Sequence, residues 1–518
     1  MANAILIFIS LYLPYQLLFK MHTSKDIILD IIHCSFKERM KNEKTAIYIQ
    51  ILNLLKNKIE EHNIPSESDL PSTRALAKSL GVSRSTVIKV YNLLCIEGYI
   101  KSKQGSGYVV NSVNLSTTNN QKINTLSDYP DISKRGKLFS ENASLIHSTT
   151  QKDIAFRPGL PPLDVFPVNH WKRLYNSYWK QIKFSNLTFS DSSGIEYLKK
   201  NIAIYLNLVR GIKCDHEQII IVSGSLQSLY LIANSILNPN DGVVMENPTF
   251  PNVQSIFRSL DAHISALPVD EEGMDIDQYT TADASYPKLI HVTPSNQYPT
   301  GKRMSLERKN KIVNWAQKHK SIIIENDYDH EISNWNDKKE SIFSLDNNNR
   351  TVFLGTFNRL LHQSIRLGYM VVPYYLLDVI KALQMHSHRF VSPSNQIVMS
   401  QFIEKNYIYN HIKNVVNIAS ERKLVFEKYF TELMPKDFEI QKSDAQSLHI
   451  LAKIPEEIKD KELTKALFKN HINVHHYSKC FINSSQNGLI FGYSSVKIPV
   501  MIKKLNKMQS VIQKIRTK

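Results

Sequence analysis

Residues 355–369 read GTFNRLLHQSIRLGY, and this stretch decides how the larger part of the chain is interpreted. It contains two arginines, Arg359 and Arg366, and no lysine lies between Phe353 and Pro373. A guanidinium group stays charged at physiological pH and offers only hydrogen-bond donors. Neither arginine can therefore act as the amine nucleophile of a covalent mechanism.

Upstream, the segment QIIIVSGSLQSLYLIANSIL at 218–237 predicts an apolar strand, a Gly/Ser turn and a helix. This order places Ser223, Gly224 and Ser225 at a helix N-terminus, where the helix dipole and free N–H groups favour a phosphate. A strand-to-helix turn also needs glycine for structural reasons. The turn alone is therefore weak evidence for a phosphate site.

Three more segments belong to the same part of the chain: VVMENPTFPNVQSIF at 243–257, VTPSNQYPTG at 292–301 and SIIIENDYDHE at 321–331. The last one predicts a strand. Because side chains alternate along a strand, Asn326 and Tyr328 share one face and Asp327 points to the other. The carboxylate of Asp327 therefore cannot take the place of the Asn326 side chain on its face of the strand.

These segments resemble the cofactor site of fold-type I pyridoxal phosphate enzymes, in the form carried by MocR-type regulators of the GntR superfamily. The family pattern GTFSKxLxPxLRLGY keeps its frame here, but Asn358 and Arg359 stand where the family has the Ser-Lys pair that forms the Schiff base. By the same resemblance, Phe250 matches the aromatic that stacks on the pyridine ring, and Asn296 replaces a histidine. Asn326 replaces the aspartate that pairs with the pyridine nitrogen.

The resemblance thus implies a cofactor-like pocket with altered chemistry. Its residues are Ser223, Gly224, Ser225, Phe250, Asn296, Asn326, Tyr328, Arg359 and Arg366. An amide cannot hold the pyridine nitrogen protonated, and the C-terminal domain lacks the arginine that usually binds the substrate carboxylate. We expect no catalytic residue and no covalent pyridoxal phosphate, but a pocket able to bind a small anionic or phosphorylated effector. The alternative is inherited geometry, with Arg366 satisfied by internal hydrogen bonds.

Nearer the N-terminus, ESDLPSTRALAKSLGVSRSTVIKVYNLLCIEGYIKSKQGSGYVV at 67–110 predicts two short helices and a hairpin. Ser72 is placed to cap the first helix, Gly81 permits the sharp turn, and Ser83 starts the second helix. The hairpin carries a glycine-rich tip at 105–107. These elements predict a winged helix-turn-helix.

This region resembles the GntR DNA-binding domain, whose hallmarks are LPSxRxLAxxLGVSRxTV and a GSG-tipped wing. The second helix of such motifs enters the major groove, and basic side chains and wing amides bind phosphate. The predicted DNA-binding residues are Arg74, Ser83, Arg84, Ser85, Thr86, Lys89, Lys101, Lys103, Gly105 and Gly107. The alternative is a small helical domain whose basic face is merely solvated.

The predicted fold is an N-terminal winged helix-turn-helix joined by a linker to an α/β domain of the pyridoxal phosphate transferase type (fold type I), with a smaller C-terminal α+β domain. The boundaries are 1–40 for an uncertain extension, 41–111 for the head, 112–150 for a flexible linker, 151–400 for the large domain and 401–518 for the small domain. The apolar run at 5–19 is short for a membrane span, so we expect Met21 to be the true start, with a membrane anchor as the alternative.

Composition limits the remaining choices. The net charge of +17 suggests a polyanionic partner, although a lysine-rich proteome would give the same sign. Four separated cysteines with no CxxC pair fit a reducing cytoplasm. Two close histidine pairs, His386 with His388 and His475 with His476, lack a consistent metal-ligand spacing with carboxylates or cysteines. We therefore expect no metal site.

Three functions remain open at this point. The favoured one is a cytoplasmic transcription regulator, in which the head binds a double-stranded DNA operator and the body forms a homodimer and senses an effector. The second is a working pyridoxal phosphate enzyme, or covalent sensor of that cofactor, fused to a DNA-binding head. The third is an interaction module without DNA binding. Arg359 and Asn326 count against the second, and the intact second helix counts against the third.

Overall fold

The computed structural model describes residues 24–39, 45–103, 107–111, 130–146, 155–184, 188, 190–280, 286–333, 335, 339–443 and 446–516. The chain divides into two compact units, Met1–Pro130 and Asp131–Lys518. The apolar run at 5–19, Met21, Gly105 and most of the predicted linker lie outside the described residues.

The described residues of the first unit form four helices and a hairpin. They are α1 (Ser24–Arg39), α2 (Ile47–Glu60), α3 (Thr73–Leu80), α4 (Arg84–Ile96), β1 (Ile100–Lys103) and β2 (Gly107–Val110). Helix α1 lies in the interval assigned to an uncertain extension, yet its Ile28, Ile32 and Phe36 are buried in the same core as α2 and α4. The head therefore extends N-terminally beyond the predicted boundary at residue 41.

The helix-turn-helix forms as its sequence predicts. Ser72 Oγ accepts from Ala75 N at 3.1 Å and begins α3, and Ser83 Oγ accepts from Thr86 N at 3.1 Å and begins α4. Between the helices, Gly81 adopts a left-handed backbone with φ of 68°. Glycine tolerates this conformation because it has no Cβ that could clash with the main chain. The two caps and this turn fix the angle at which α4 leaves α3.

The second unit is built on a large mixed sheet and a small antiparallel one. Its helices are α5 (Lys134–Asn142), α6 (Val168–Gln181), α7 (Glu196–Arg210), α8 (Ser225–Ile236), α9 (Pro251–Ser259), α10 (Leu306–His319), α11 (His330–Ser333), α12 (Ile342–Leu345), α13 (Tyr374–Ser387), α14 (Pro393–Glu404), α15 (Tyr407–Leu433), α16 (Asp460–Lys469) and α17 (Ile498–Arg516). Its strands are β3 (Ile219–Val222), β4 (Gly242–Asn247), β5 (His263–Asp270), β6 (Gly273–Met274), β7 (Leu289–Val292), β8 (Ile322–Asn326), β9 (Thr351–Thr356), β10 (Gly368–Val371), β11 (Glu439–Ile440), β12 (Ile450–Lys453), β13 (His475–His476) and β14 (Gly488–Phe491).

The large sheet has the order β3-β10-β9-β8-β7-β4-β5-β6, and the small one has the order β11-β12-β14-β13. Strands β4, β5, β7, β8 and β9 run parallel, and β10 is antiparallel to both β3 and β9. The carboxyl ends of β3, β4, β7, β8 and β9 therefore meet at one edge, where ligands of open α/β sheets bind. The α/β class with a smaller α+β domain is as predicted.

Hydrophobic cores lie on both faces of the large sheet. Successive residues of β3 show this, because Ile221 belongs to one cluster while Ile220 and Val222 belong to the other. Strands buried on both faces read as continuous apolar runs, as IIIV does here. The polar residues that follow these strands are thereby held at the shared edge.

Part of the predicted linker is ordered. Helix α5 begins at Ser133, whose Oγ accepts from Gly136 N at 3.1 Å, and it packs on α9, where Ser255 Oγ donates to Asn142 O at 3.0 Å. Phe139 packs against the ring of Tyr230. Where the sequence predicted a flexible tether, residues 134–145 thus form a capped helix and a short turn that contact α9, although none of their side chains is fully buried.

Candidate nucleic-acid interface and body pocket

The N-terminal end of α4 presents a polar, exposed surface. Arg84 and Ser85 are exposed, and Ser83 Oγ lies 2.8 Å from both Ser85 Oγ and Thr86 Oγ1. Arg84 Nε lies at the limit of hydrogen-bond distance, 3.5 Å, from Thr73 Oγ1. Guanidinium and hydroxyl groups at this end of a second helix are the groups that bind base edges and phosphates in the major groove.

The predicted lysines have partners within the head. Lys89 Nζ lies 3.6 Å from the centroid of the Tyr48 ring, and Lys101 Nζ lies 3.2 Å from Glu67 Oε1. All four side chains are reached by solvent, so these contacts are weak and can exchange for phosphate. Sequence patterns gave no signal for Tyr48, because it lies on α2, 41 positions before Lys89.

The remaining predicted DNA-binding residues that are described, Arg74, Lys103 and Gly107, are exposed. Lys103 and Gly107 are paired in the hairpin register at the base of the wing tip. An exposed cation at the base of a wing is suited to phosphate contact.

The second unit contains a pocket of about 320 Å³ at the shared edge of the large sheet. Its wall includes four of the predicted residues, Ser225, Phe250, Arg359 and Arg366. Ser223 lies beside it, with Oγ 3.4 Å from Arg366 Nη2. The structure thus brings the predicted phosphate side together.

Asn358 joins the two loops of this phosphate side. Its Nδ2 donates to Ser223 O at 3.1 Å, and its Oδ1 accepts from Leu367 N at 2.9 Å. A Cβ on Gly224 would lie 2.7 Å from Asn358 Nδ2, and Gly224 has φ of 145°. Glycine is therefore required at this turn by both the backbone conformation and the close approach of Asn358.

Arg359 lies at the aromatic side of the pocket. Its guanidinium carbon is 4.6 Å from the Tyr328 ring centroid and 5.4 Å from that of Phe250. A Cβ on Gly159 would come within 2.7 Å of Arg359 Nη1, so the guanidinium also lies against the main chain there. Arg359 Nη1 is buried and has no hydrogen-bond partner among the described residues.

The predicted stacking residue Phe250 already has an aromatic partner. Tyr298 lies parallel to it, with ring centroids 3.7 Å apart and an interplanar angle of 10°, while Tyr328 meets it edge-on at 4.9 Å. The face of Phe250 that Tyr298 covers is closed to a ligand ring. The sequence gave no signal for this pair, since the two residues lie on different loops.

Two predicted pocket residues instead face the protein interior. Asn326 Nδ2 lies 3.2 Å from His291 Nε2, and burial lowers the pKa of His291 to about 3. Asn296 Nδ2 donates to Asp329 Oδ2 at 2.7 Å. Neither asparagine is among the residues that line the 320 Å³ pocket, and their assignment to the cofactor-like pocket stays a prediction. Their amides are needed as partners for buried groups.

Asp327 is held outside the pocket. Its Oδ2 accepts from Arg210 Nε at 2.8 Å, and both side chains are almost fully buried. Burial acts to raise the pKa of Asp327, but the Arg210 charge and hydrogen bond outweigh it and keep this pKa below the ordinary value. For the neighbouring Asp329, burial outweighs the charge of Arg359 and the hydrogen bond from Asn296 and raises its pKa to about 8.

Within the described ranges, no group of three or more histidine, cysteine, aspartate or glutamate side chains is placed to hold a metal ion. No helix of the same residues combines the length and apolar character that crossing a bilayer requires.

Comparison with known proteins gives two family matches. Residues 163–488 match the family described as aminotransferase class I and II, and residues 47–110 match the bacterial regulatory proteins of the gntR family. The chain is 29% identical over 471 residues to the probable rhizopine catabolism regulatory protein MocR of Rhizobium meliloti, covering 91% of this chain and 94% of that protein.

Two further likenesses extend this result. The chain is 23% identical over 455 residues to the HTH-type pyridoxine biosynthesis transcriptional regulator PdxR of Corynebacterium glutamicum, covering 88% of this chain and 93% of that protein. The crystal structure of Pyrococcus horikoshii kynurenine aminotransferase matches with a TM-score of 0.64 at 21% identity, covering 74% of this chain and 95% of that chain. At this identity the structural match shows the fold.

Proposed function

This chain belongs to the aminotransferase class I and II family and carries a gntR-family head, and from that premise we propose that it is a DNA-binding transcription regulator of the MocR type. The observation that carries the proposal is the capped, exposed N-terminal end of α4 behind the Gly81 turn. There Arg84 and Ser85 are exposed, and their hydrogen-bond contacts with Thr73 and Ser83 lie at the surface.

The body supports a regulatory role better than a catalytic one. Its phosphate side, with Ser225, Arg366 and the N-terminus of α8, suits a phosphate group. Its ring side does not suit pyridoxal phosphate, because Tyr298 covers one face of Phe250 and Arg359 cannot form a Schiff base. We propose that the body binds no covalent pyridoxal phosphate and has no transaminase activity.

The body is also suited to dimer formation. Val168 and Trp179 on α6 and the nearby Phe184 are large apolar residues with 59%, 55% and 91% of their surface exposed. Exposed apolar surface of this kind marks interaction sites, and regulators of the resembling family are homodimers. We propose a cytoplasmic homodimer whose two heads bind two half-sites of one operator.

The experiment is DNA binding by the full chain, measured by fluorescence anisotropy with DNA from upstream of its own gene. We expect affinity to fall steeply with salt, since neutralised phosphates release counterions. Arg84→Ala should weaken binding about 10-fold or more if it binds a base edge. Arg135→Ala is the matched control, because Arg135 is equally exposed but lies on α5.

A chain that does not bind DNA even at low salt would refute the proposal. So would an Arg84→Ala variant and an Arg135→Ala variant that lose affinity equally, since that result would mean that α4 has no special role.

A further inference from the structure

Three guanidinium groups line the body pocket, and no carboxylate of the described residues does. They belong to Arg157, Arg359 and Arg366. Arg157 is partly buried, its Nη2 lies 3.4 Å from Gln363 Oε1, and burial lowers its pKa from the usual value. Concentrating like charges in one cavity is unfavourable unless something anionic occupies it.

The charges are divided between two ends of the cavity. Arg366 lies at the end formed by Ser223 and the N-terminus of the twelve-residue helix α8. Arg359 lies at the other end, between the rings of Tyr328 and Phe250. A ligand that uses both ends needs two separate anionic groups.

The Arg359 end has the clearest unused capacity. Arg359 Nη1 is shielded from solvent and lacks a hydrogen-bond partner among the described residues, and leaving a buried charged donor unpaired is costly. Asp329, whose charge would oppose that of Arg359, stays largely protonated at neutral pH, because burial raises its pKa to about 8. Asp329 therefore offsets the Arg359 charge only in part.

The two ends differ in the anion they suit. The helix N-terminus, the serine hydroxyls and Arg366 match a tetrahedral phosphate. Arg359 is confined between flat rings and presents a planar fork, which matches a planar carboxylate. A volume of about 320 Å³ is at the small end of the range of about 300–1,000 Å³ found for small-molecule pockets, so the pocket suits a small ligand.

We propose that this pocket binds, without a covalent bond, a small metabolite that carries a phosphate ester at the Arg366 end and a carboxylate at the Arg359 end. The statement that this ligand is the effector of a transcription regulator rests on the proposed function. The statement that the pocket binds this class of ligand does not. Arg359 then has a role of its own. At the position where the resembling family has its Schiff-base lysine, Arg359 binds the carboxylate of the ligand.

Isothermal titration of the full chain tests this with three probes: 3-phosphoglycerate, glycerol 3-phosphate and inorganic phosphate. The first two differ only in whether a carboxylate or a hydroxymethyl group stands at one end. We expect 3-phosphoglycerate to bind about 10-fold more tightly than glycerol 3-phosphate, the gain typical of a hydrogen-bonded charge pair. Inorganic phosphate should bind more weakly than either.

Two variants separate the ends. Arg359→Met should remove the preference for 3-phosphoglycerate while leaving glycerol 3-phosphate affinity unchanged. Arg366→Met should weaken both. Arg135→Met serves as the control for lost positive charge, and unchanged tryptophan fluorescence melting shows that each variant is folded.

The proposal is overturned by equal affinity for the two esters in the natural protein, by an equal loss of both in Arg359→Met, or by no binding of either at about 10 mM. Operator binding is measured separately without ligand. If the esters bind as expected but DNA does not, the proposed regulatory function is refuted, while the proposed binding site for phosphate and carboxylate is supported.

Discussion

Replacing Arg210 with methionine should destabilise the body by about 3–5 kcal/mol, the usual cost of removing one partner from a buried ion pair. Arg210 donates to Asp327 Oδ2 at 2.8 Å and to Ser295 Oγ at 2.9 Å, and Glu325 Oε1 lies 3.7 Å away. Methionine keeps much of the side-chain volume, so the loss is electrostatic. It leaves the buried Asp327 without the cation that binds it directly.

The loss should depend on pH in a fixed direction. In the natural protein the pKa of Asp327 is held below 3.8 by Arg210, so this stabilisation is present above that pH and is lost as the pH falls through the lower folded value. Without Arg210, burial raises the pKa of Asp327, and protonation relieves the penalty. The difference between the two proteins should therefore shrink as the pH falls from about 7 towards 4.

Urea denaturation followed by tryptophan fluorescence is the assay, because all four tryptophans, at 171, 179, 315 and 335, lie in the body. The double variant Arg210→Met with Asp327→Leu should cost less than the sum of the single variants, since it removes both charges. A loss below about 1 kcal/mol, or one that does not change with pH, would refute the account of this buried pair.

Three smaller perturbations test other parts of the structure. Ser83→Ala removes the α4 cap and should cost the head about 1 kcal/mol, read as faster hydrogen exchange in α4; unchanged exchange would contradict the cap. Burial raises the pKa of Glu246 to about 7. Between pH 4.5 and 7 the folded protein keeps this proton and the unfolded chain loses it, so the free energy of unfolding falls as the pH rises. Glu246→Gln should flatten this slope in urea titrations, and an unaltered slope would argue against it. Gly355→Ala places a Cβ 2.2 Å from the Tyr369 ring and should cost about 1–3 kcal/mol by overpacking, whereas a neutral result in thermal melting would show that the ring can move.

Much of the fold could be predicted because its signals are local. Ser72, Gly81 and Ser83 act on residues no more than four positions away, so their pattern predicts the caps and turn that the structure shows. The apolar strand at 219–222 and the helix after Ser225 are equally local. Together with the family matches, these features confirm the predicted head and body.

The arrangement inside the pocket could not be predicted in the same way, because it depends on contacts between distant segments. Tyr298 covers Phe250 from 48 positions away, and Arg157 joins Arg359 in one cavity from 202 positions away. Alternation along β8 placed Asp327 away from the pocket but gave no sign that Asn326 bonds to His291. Helix α5 was missed for the same reason, since its apolar partners lie on α8 and α9.

The most direct test of the central claim, a body that keeps an aminotransferase fold without its covalent chemistry, is an absorbance spectrum. Purified full-length protein is mixed with an equal amount of pyridoxal phosphate, treated with borohydride and dialysed, beside an Arg359→Lys variant. We predict that the mixture with the natural protein shows only the spectrum of free pyridoxal phosphate before reduction, and that this protein retains no cofactor after borohydride treatment and dialysis. An aldimine band in the natural protein that borohydride abolishes, with a pyridoxyl group left on one lysine after dialysis, would contradict the claim and support the enzyme alternative.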